Sequence, residues 1–169
     1  CGCFAWGYKL YLIIDENGGV HAWNVLSMNV AEQRVAEDLI PIAARSAGAG
    51  RWLLGDRAYD SNRLYTLAEA CGLKLLAPRL RPKERIGPVQ SPGRRRAIQM
   101  LERPGTPLGH ALRDRRDTVE RYLGTLSCVG GGLGPLPGFV RGLHRVRLWV
   151  GGKLIIHSLR LHRKRSLAA

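Results

Sequence analysis

The sequence predicts an α/β layer fold, and three observations carry that expectation. Two β-branched and aromatic runs, Tyr8–Ile14 and Val20–Leu26, are separated by Asp15-Glu16-Asn17-Gly18-Gly19, whose Asn-Gly and Gly-Gly steps supply the positive φ of a tight hairpin turn. Two short apolar strands, Arg51–Asp56 and Leu73–Ala77, then alternate with helical stretches. The resulting order, β-β-α-β-α-β, is that of layered α/β folds.

Each element has its own signal. From Asn29, read as an N-cap, the spacing of Val30, Val35, Ala36, Leu39 and Ile40 is helical, with Pro41 expected to kink or restart the helix before Gly48. Asp60 or Ser61 caps a helix through Leu64, Leu67, Ala68 and Cys71, which Gly72 stops. Residues 79–93, rich in proline and charge, read as an exposed loop. Arg94–Leu101 reads as helical, Pro104–Gly109 as a break, and Ala111–Ser127 as one long helix. The glycine-proline stretch 130–138 reads as a connector, because it lacks the Gly-Lys-Ser/Thr ending of a phosphate-binding loop. A last helix, Leu143 to about His162, carries an apolar stripe of Val146, Trp149, Val150, Leu154, Ile155 and Leu159 before Arg163-Lys164-Arg165. Two segments follow from this: residues 1–129, and a connector with a basic helix, 130–169, that packs on the same domain.

Composition narrows the function classes. The 169 residues hold 27 Lys+Arg against 13 Asp+Glu, a formal charge of +14, with 45% hydrophobic residues for a core. The excess is one-sided: residues 1–78 have seven basic and eight acidic residues, net −1, and residues 79–169 have twenty and five, net +15. A field of one sign concentrates polyanions and releases counterions when phosphates are neutralised, so nucleic acid is the first partner to consider. The most apolar stretch, 148–161, is interrupted by Lys153, His157 and Arg160, so no membrane partner is expected. The chain begins with Cys1 and carries no leader pattern, which reads as a fragment. Cys1, Cys3, Cys71 and Cys128 fit neither a paired zinc frame nor a disulfide framework and read as reduced thiols of a cytosolic protein.

Two acids attract attention. Asp56 ends an apolar strand, where a carboxylate is costly to desolvate unless something offsets it, and ligands gather beyond the carboxyl ends of strands in open α/β sheets. Glu120 lies on the long expected helix, where Arg113, Arg116, Glu120 and Ser127 share one side and Leu112, Val119, Leu123 and Leu126 the buried one. The plainer alternatives are a turn cap for Asp56 and an ordinary i,i+4 ion pair with Arg116 for Glu120.

Gly55-Asp56-Arg57-Ala58-Tyr59-Asp60-Ser61 resembles the motif around the second aspartate of DDE transposases of bacterial insertion sequences, and Val119-Glu120-Arg121-Tyr122-Leu123-Gly124-Thr125-Leu126 resembles that around their third acid. The hairpin opened by Gly7-Tyr8-Lys9-Leu10 with Asp15, Asn29-Val30, Gly130–Leu133 and Arg145–Val150 are similar to the family in the same order. The resemblance implies a ribonuclease H-like catalytic core followed by a basic helix-rich region. In the subgroup signature Tyr-x2-Arg-x3-Glu-x6-Lys, Arg116 and Glu120 keep their positions, whereas Arg113 stands at the Tyr and Ser127 at the Lys. The family's first aspartate lies on a strand upstream of the hairpin and has no counterpart after Cys1; Asp15, in the turn, does not replace it.

What the resemblance implies about chemistry has a physical basis. Phosphodiester cleavage places charge on the attacking and leaving oxygens, and two Mg²⁺ (or Mn²⁺) ions held by carboxylates stabilise both. Asp56 and Glu120 would be catalytic and metal-holding residues, and Arg113, Arg116, Arg121, Arg57 and Tyr59 would contact double-stranded DNA, both transposon ends and target. Self-association in a transpososome and a place in the bacterial cytoplasm or nucleoid follow from the same resemblance. Without the first aspartate this chain by itself is expected to be inactive. The alternative is a basic nucleic-acid-binding remnant of the fold that does no chemistry; a ribosome-associated protein is a third reading, with no evident use for the near-neutral α/β half.

Overall fold

The computed structural model describes residues 7–102, 104–115, 117–128 and 133–167, with only the backbone at 117, 118 and 128. The chain is mixed α/β with small sheets, and it divides into two compact units, residues 31–117 and residues 1–30 with 118–169.

In the unit formed by both ends of the chain, β1 (Tyr8–Ile14) and β2 (Val20–Ser27) form the expected antiparallel hairpin, with a register shift at Ile13/Ile14. Gly18 takes φ +79° in its turn, and Asp15 Oδ1 accepts from Asn17 N and Gly19 N at 2.8 Å each, an Asx arrangement that explains this acid's place. Against this hairpin pack α5 (Asp117–Cys128) and α6 (Leu143–Ser166), burying Val25, Tyr122, Leu126, Val140, Val146, Val150 and Leu154 together. Of the stripe expected on α6, Ile155 and Leu159 face solvent, and His157 is buried instead.

The other unit centres on β3 (Trp52–Leu54) and β4 (Lys74–Leu76), a parallel pair flanked by α1 (Glu32–Ala47), α2 (Asn62–Ala70), α3 (Pro92–Leu101) and α4 (Pro107–Asp114). Its core includes Val35, Leu39 and Ile40 from α1, Leu64 and Tyr65 from α2, Leu75 and Leu76 from β4, and Met100 and Leu112 from α3 and α4. Tyr65 is buried with its hydroxyl donating to Ala77 O at 3.0 Å and accepting from Ala77 N at 3.2 Å; burial pushes its pKa up to about 12.

Several expectations need correction. The helix predicted from Asn29 begins at Glu32 after Ala31, without a side-chain cap, and runs unbroken through Pro41. Its buried face (Val35, Ala36, Leu39, Ile40, Ala43) supplies enough packing to hold it across a residue that lacks an N–H. The long helix expected over Ala111–Ser127 is two helices. Between Leu112 and Val119 lie six polar residues, nearly two helical turns with nothing to bury, and α4 ends there at Asp114. The Pro104–Gly109 break is partly helix: Thr106 Oγ1 accepts from Gly109 N at 3.0 Å and Pro107 occupies the first turn, so α4 starts there.

Candidate active site

Asp56 sits two residues beyond β3, and the local sequence explains how it is held. Gly55 N donates to Leu76 O at 3.0 Å, extending the link between the strands by one residue. A Cβ on Gly55 would stand 3.1 to 3.3 Å from the ring and Cβ of Tyr59, so glycine lets Tyr59 fold back over the strand end. Arg57–Tyr59 is a single 3-10 turn capped by Asp56, whose Oδ1 accepts from Ala58 N at 2.8 Å, and Gln33 Nε2 on α1 donates to Ala58 O at 2.7 Å. Asp56 is exposed, so the desolvation expected of a strand-terminal carboxylate does not arise, because β3 already ends at Leu54. One carboxylate oxygen of Asp56 caps the turn, as the plainer alternative expected, and Oδ2 makes no hydrogen bond among the described residues.

The remaining predicted residues fall in two groups. Arg57 is exposed and Tyr59 half-buried in the same turn as Asp56. Arg113, on α4, is exposed, lies 3.4 Å from Asp114 and lines a small cavity of about 20 Å³ with Leu54, Gly55, Leu76, Pro78 and Leu101. It thereby reaches the carboxyl ends of β3 and β4, next to the residue that precedes Asp56. Glu120 and Arg121 are exposed on α5, in the other unit. The face expected to join Arg113 to Glu120 on one helix does not exist, because the helix is interrupted between them. Arg116 lies outside the described residues. On α5 Leu126 is buried and Val119 half-buried as expected, whereas Leu123 is exposed and Tyr122, beside it, is buried in its place. Ser127, at the signature's Lys position, donates through Oγ to Leu123 O at 2.8 Å.

Asp60, read in the sequence as a helix cap, holds a more central position. Its side chain is 1% exposed and accepts from Arg94 Nε and Nη2 at 2.6 Å each and from Leu80 N at 2.9 Å. The Asp60 carboxylate raises the pKa of Arg94 above its ordinary value. Nothing local signals this bidentate pair, whose partners are thirty-four residues apart. In the other unit, Tyr122 and His157 meet edge-to-face at 4.9 Å, and Tyr122 Oη and His157 Nε2 are buried without a hydrogen-bond partner among the described residues. Burial raises the pKa of Tyr122, and burial followed by the nearby Arg160 charge lowers that of His157.

As metal ligands, Asp56 and Glu120 offer carboxylate oxygens, the donor type that Mg²⁺ and Mn²⁺ prefer. Among the described residues no three His, Cys, Asp or Glu side chains cluster as a metal group, and no helix is long and apolar enough to cross a membrane. Comparison with protein-family models, with curated proteins and with solved structures gives no match.

Proposed function

We propose that this chain is part of the ribonuclease H-like catalytic domain of a DDE transposase, an enzyme that cuts and rejoins DNA by metal-dependent phosphodiester hydrolysis and strand transfer. Asp56 and Glu120 are two of its acids, and double-stranded DNA is its substrate. The single observation that carries the reading is the approach of Arg113 to Gly55: the segment leading toward the third-acid motif returns, within one unit, to the strand end that bears the second-acid motif. Support also comes from the sheets. Among the described residues a β-hairpin is followed in sequence by a parallel strand pair, the order that such a core would have.

When bound, Mg²⁺ or Mn²⁺ supplies charge stabilisation for the attacking and leaving oxygens. The chain's own part is to hold carboxylates ready. The 3-10 turn fixes Asp56 through Ala58 N, and Gln33 fixes the turn. Arg57 and Arg121, exposed beside the two acids, are suited to phosphate oxygens, for which the planar guanidinium is the best side-chain partner.

The test is nicking of supercoiled DNA by the chain extended to include the family's first aspartate. Mg²⁺-dependent nicking is expected, and Asp56→Ala or Glu120→Ala abolishes it while leaving duplex binding intact. Undiminished nicking by either variant overturns the assignment. Binding without any nicking by the extended protein supports the alternative, a basic remnant that binds nucleic acid and does no chemistry.

A further inference from the structure

Residues 79–96 carry seven arginines and lysines against one glutamate, a net charge of +6 within eighteen residues. A segment of that composition repels itself and gains little from burial, yet here it is tied to the rest of its unit. Leu80 N and the Arg94 guanidinium both bind Asp60, the buried carboxylate. Asn62, two residues further on, donates through Nδ2 to Val89 O at 3.2 Å and accepts through Oδ1 from Ser91 N at 3.0 Å. At the start of the segment Arg79, 11% exposed, pairs with Glu102 and donates to the carbonyls of Glu84 and Pro82.

These ties sort the cations into two classes. Arg79 and Arg94 are engaged inward with Glu102 and Asp60. Among the described residues Arg81 pairs only with Glu84, at 3.2 Å, with side chains 70% and 62% exposed, so the pair contributes little. Lys83 and Arg85 are exposed and have no carboxylate partner among the described residues. Glu84 N donates to Arg81 O at 3.2 Å and closes a turn over 81–84, and Arg81 and Arg85 line a cavity of about 220 Å³ with Arg79, Arg94 and Asp60.

We propose that segment 79–91 is a preorganised strap that binds the phosphate backbone of duplex DNA, with Arg81, Lys83 and Arg85 as the contacts and Asp60 and Asn62 as positioning residues. The proposal rests on the DNA-binding part of the reading above and is independent of any chemistry at Asp56 and Glu120. A tethered turn loses little conformational freedom on binding, which favours a ligand with its own fixed array of charges. The exposed contacts are all Arg and Lys, the side chains that most often meet phosphate oxygens. A membrane surface is the less fitting partner: Pro82 and Pro88 and the turn exclude the amphipathic helix with which such surfaces are usually engaged.

The test uses the whole chain and a fluorescently labelled duplex of arbitrary sequence, titrated from about 50 to 200 mM salt. The triple variant Arg81→Ala/Lys83→Ala/Arg85→Ala should keep its melting temperature. Its slope of log affinity against log salt should be shallower by about 2.7, at roughly 0.9 for each lost phosphate contact. Asn62→Ala, which keeps every cation and unties only Val89 and Ser91, should weaken binding at all salt concentrations with the slope nearly unchanged. If the unmodified chain binds DNA with a steep salt dependence and the triple variant keeps that slope, the strap assignment is wrong and DNA binding stands. Equal affinity of Asn62→Ala and the unmodified chain overturns the positioning role. If the unmodified chain does not bind duplex DNA, or binds vesicles of anionic phospholipid in preference to it, the DNA reading fails and the strap with it.

Discussion

At the scale of single residues, two buried polar groups set how the protein should respond to mutation and to pH. Asp60 and Arg94 form one bidentate pair, but their surroundings are unequal: the carboxylate is 1% exposed and the guanidinium 20%. Arg94→Leu leaves a charge that cannot reach water, whereas after Asp60→Asn the guanidinium can be partly rehydrated. Arg94→Leu should therefore be the more damaging, by about 3 to 5 kcal/mol as is typical when a buried pair loses one partner, with Asp60→Asn clearly milder; urea unfolding checks the order. His157 acts through a proton instead. Its folded-state pKa lies below the ordinary 6.5, so the unfolded chain takes up protons first as the pH falls. Stability is retained above pH 6.5 and is lost as the pH drops below that value through the folded-state pKa. His157→Phe should remove this part of the acid sensitivity, measured as the difference in melting temperature between mildly acid and neutral buffer.

At the scale of elements, α3 and α4 meet closely at Gly109. A Cβ added at Gly109 would stand 2.2 Å from Met100 O, a backbone atom that cannot swing aside, and Met100 O already accepts from Thr106 N at 3.0 Å. Gly109→Ala should destabilise by at least the 1 to 3 kcal/mol or so that overpacking usually costs, despite alanine's better helix propensity. Thermal unfolding measures it, and a stabilised variant would show that α4 is placed differently. The hairpin was legible in the sequence because its signals are local: Asn-Gly-Gly and two β-branched runs. The start of α4 was equally local, in Thr106-Pro107, but the same Pro and Gly residues also read as breakers, and only Gly109's contact with Met100 shows why glycine stands inside a helix. The end of α4 at Asp114 follows from a gap in the apolar pattern, since Arg113–Thr118 contains no residue for the core to hold. Ties such as Asp60 to Arg94 and Asn62 to Val89 were illegible, because they depend on which surfaces the chain brings together at long range.

At the scale of the whole molecule, charge and chemistry are distributed differently. The basic excess follows the second half of the sequence, whereas the division into units crosses that half and joins both chain ends to α5 and α6. Asp56 belongs to one unit and Glu120 to the other. The proposed function needs both acids to bind a divalent metal, and the most direct measurement is the broadening of backbone amide resonances by Mn²⁺, which bleaches signals near a bound ion. Signals around Asp56–Tyr59 and around Glu120–Arg121 should both broaden as Mn²⁺ is added, and Asp56→Ala and Glu120→Ala should each suppress the broadening at its own segment. Broadening at only one of the two segments, or broadening undiminished at the segment whose acid has been replaced, would contradict the assignment of both acids as metal ligands.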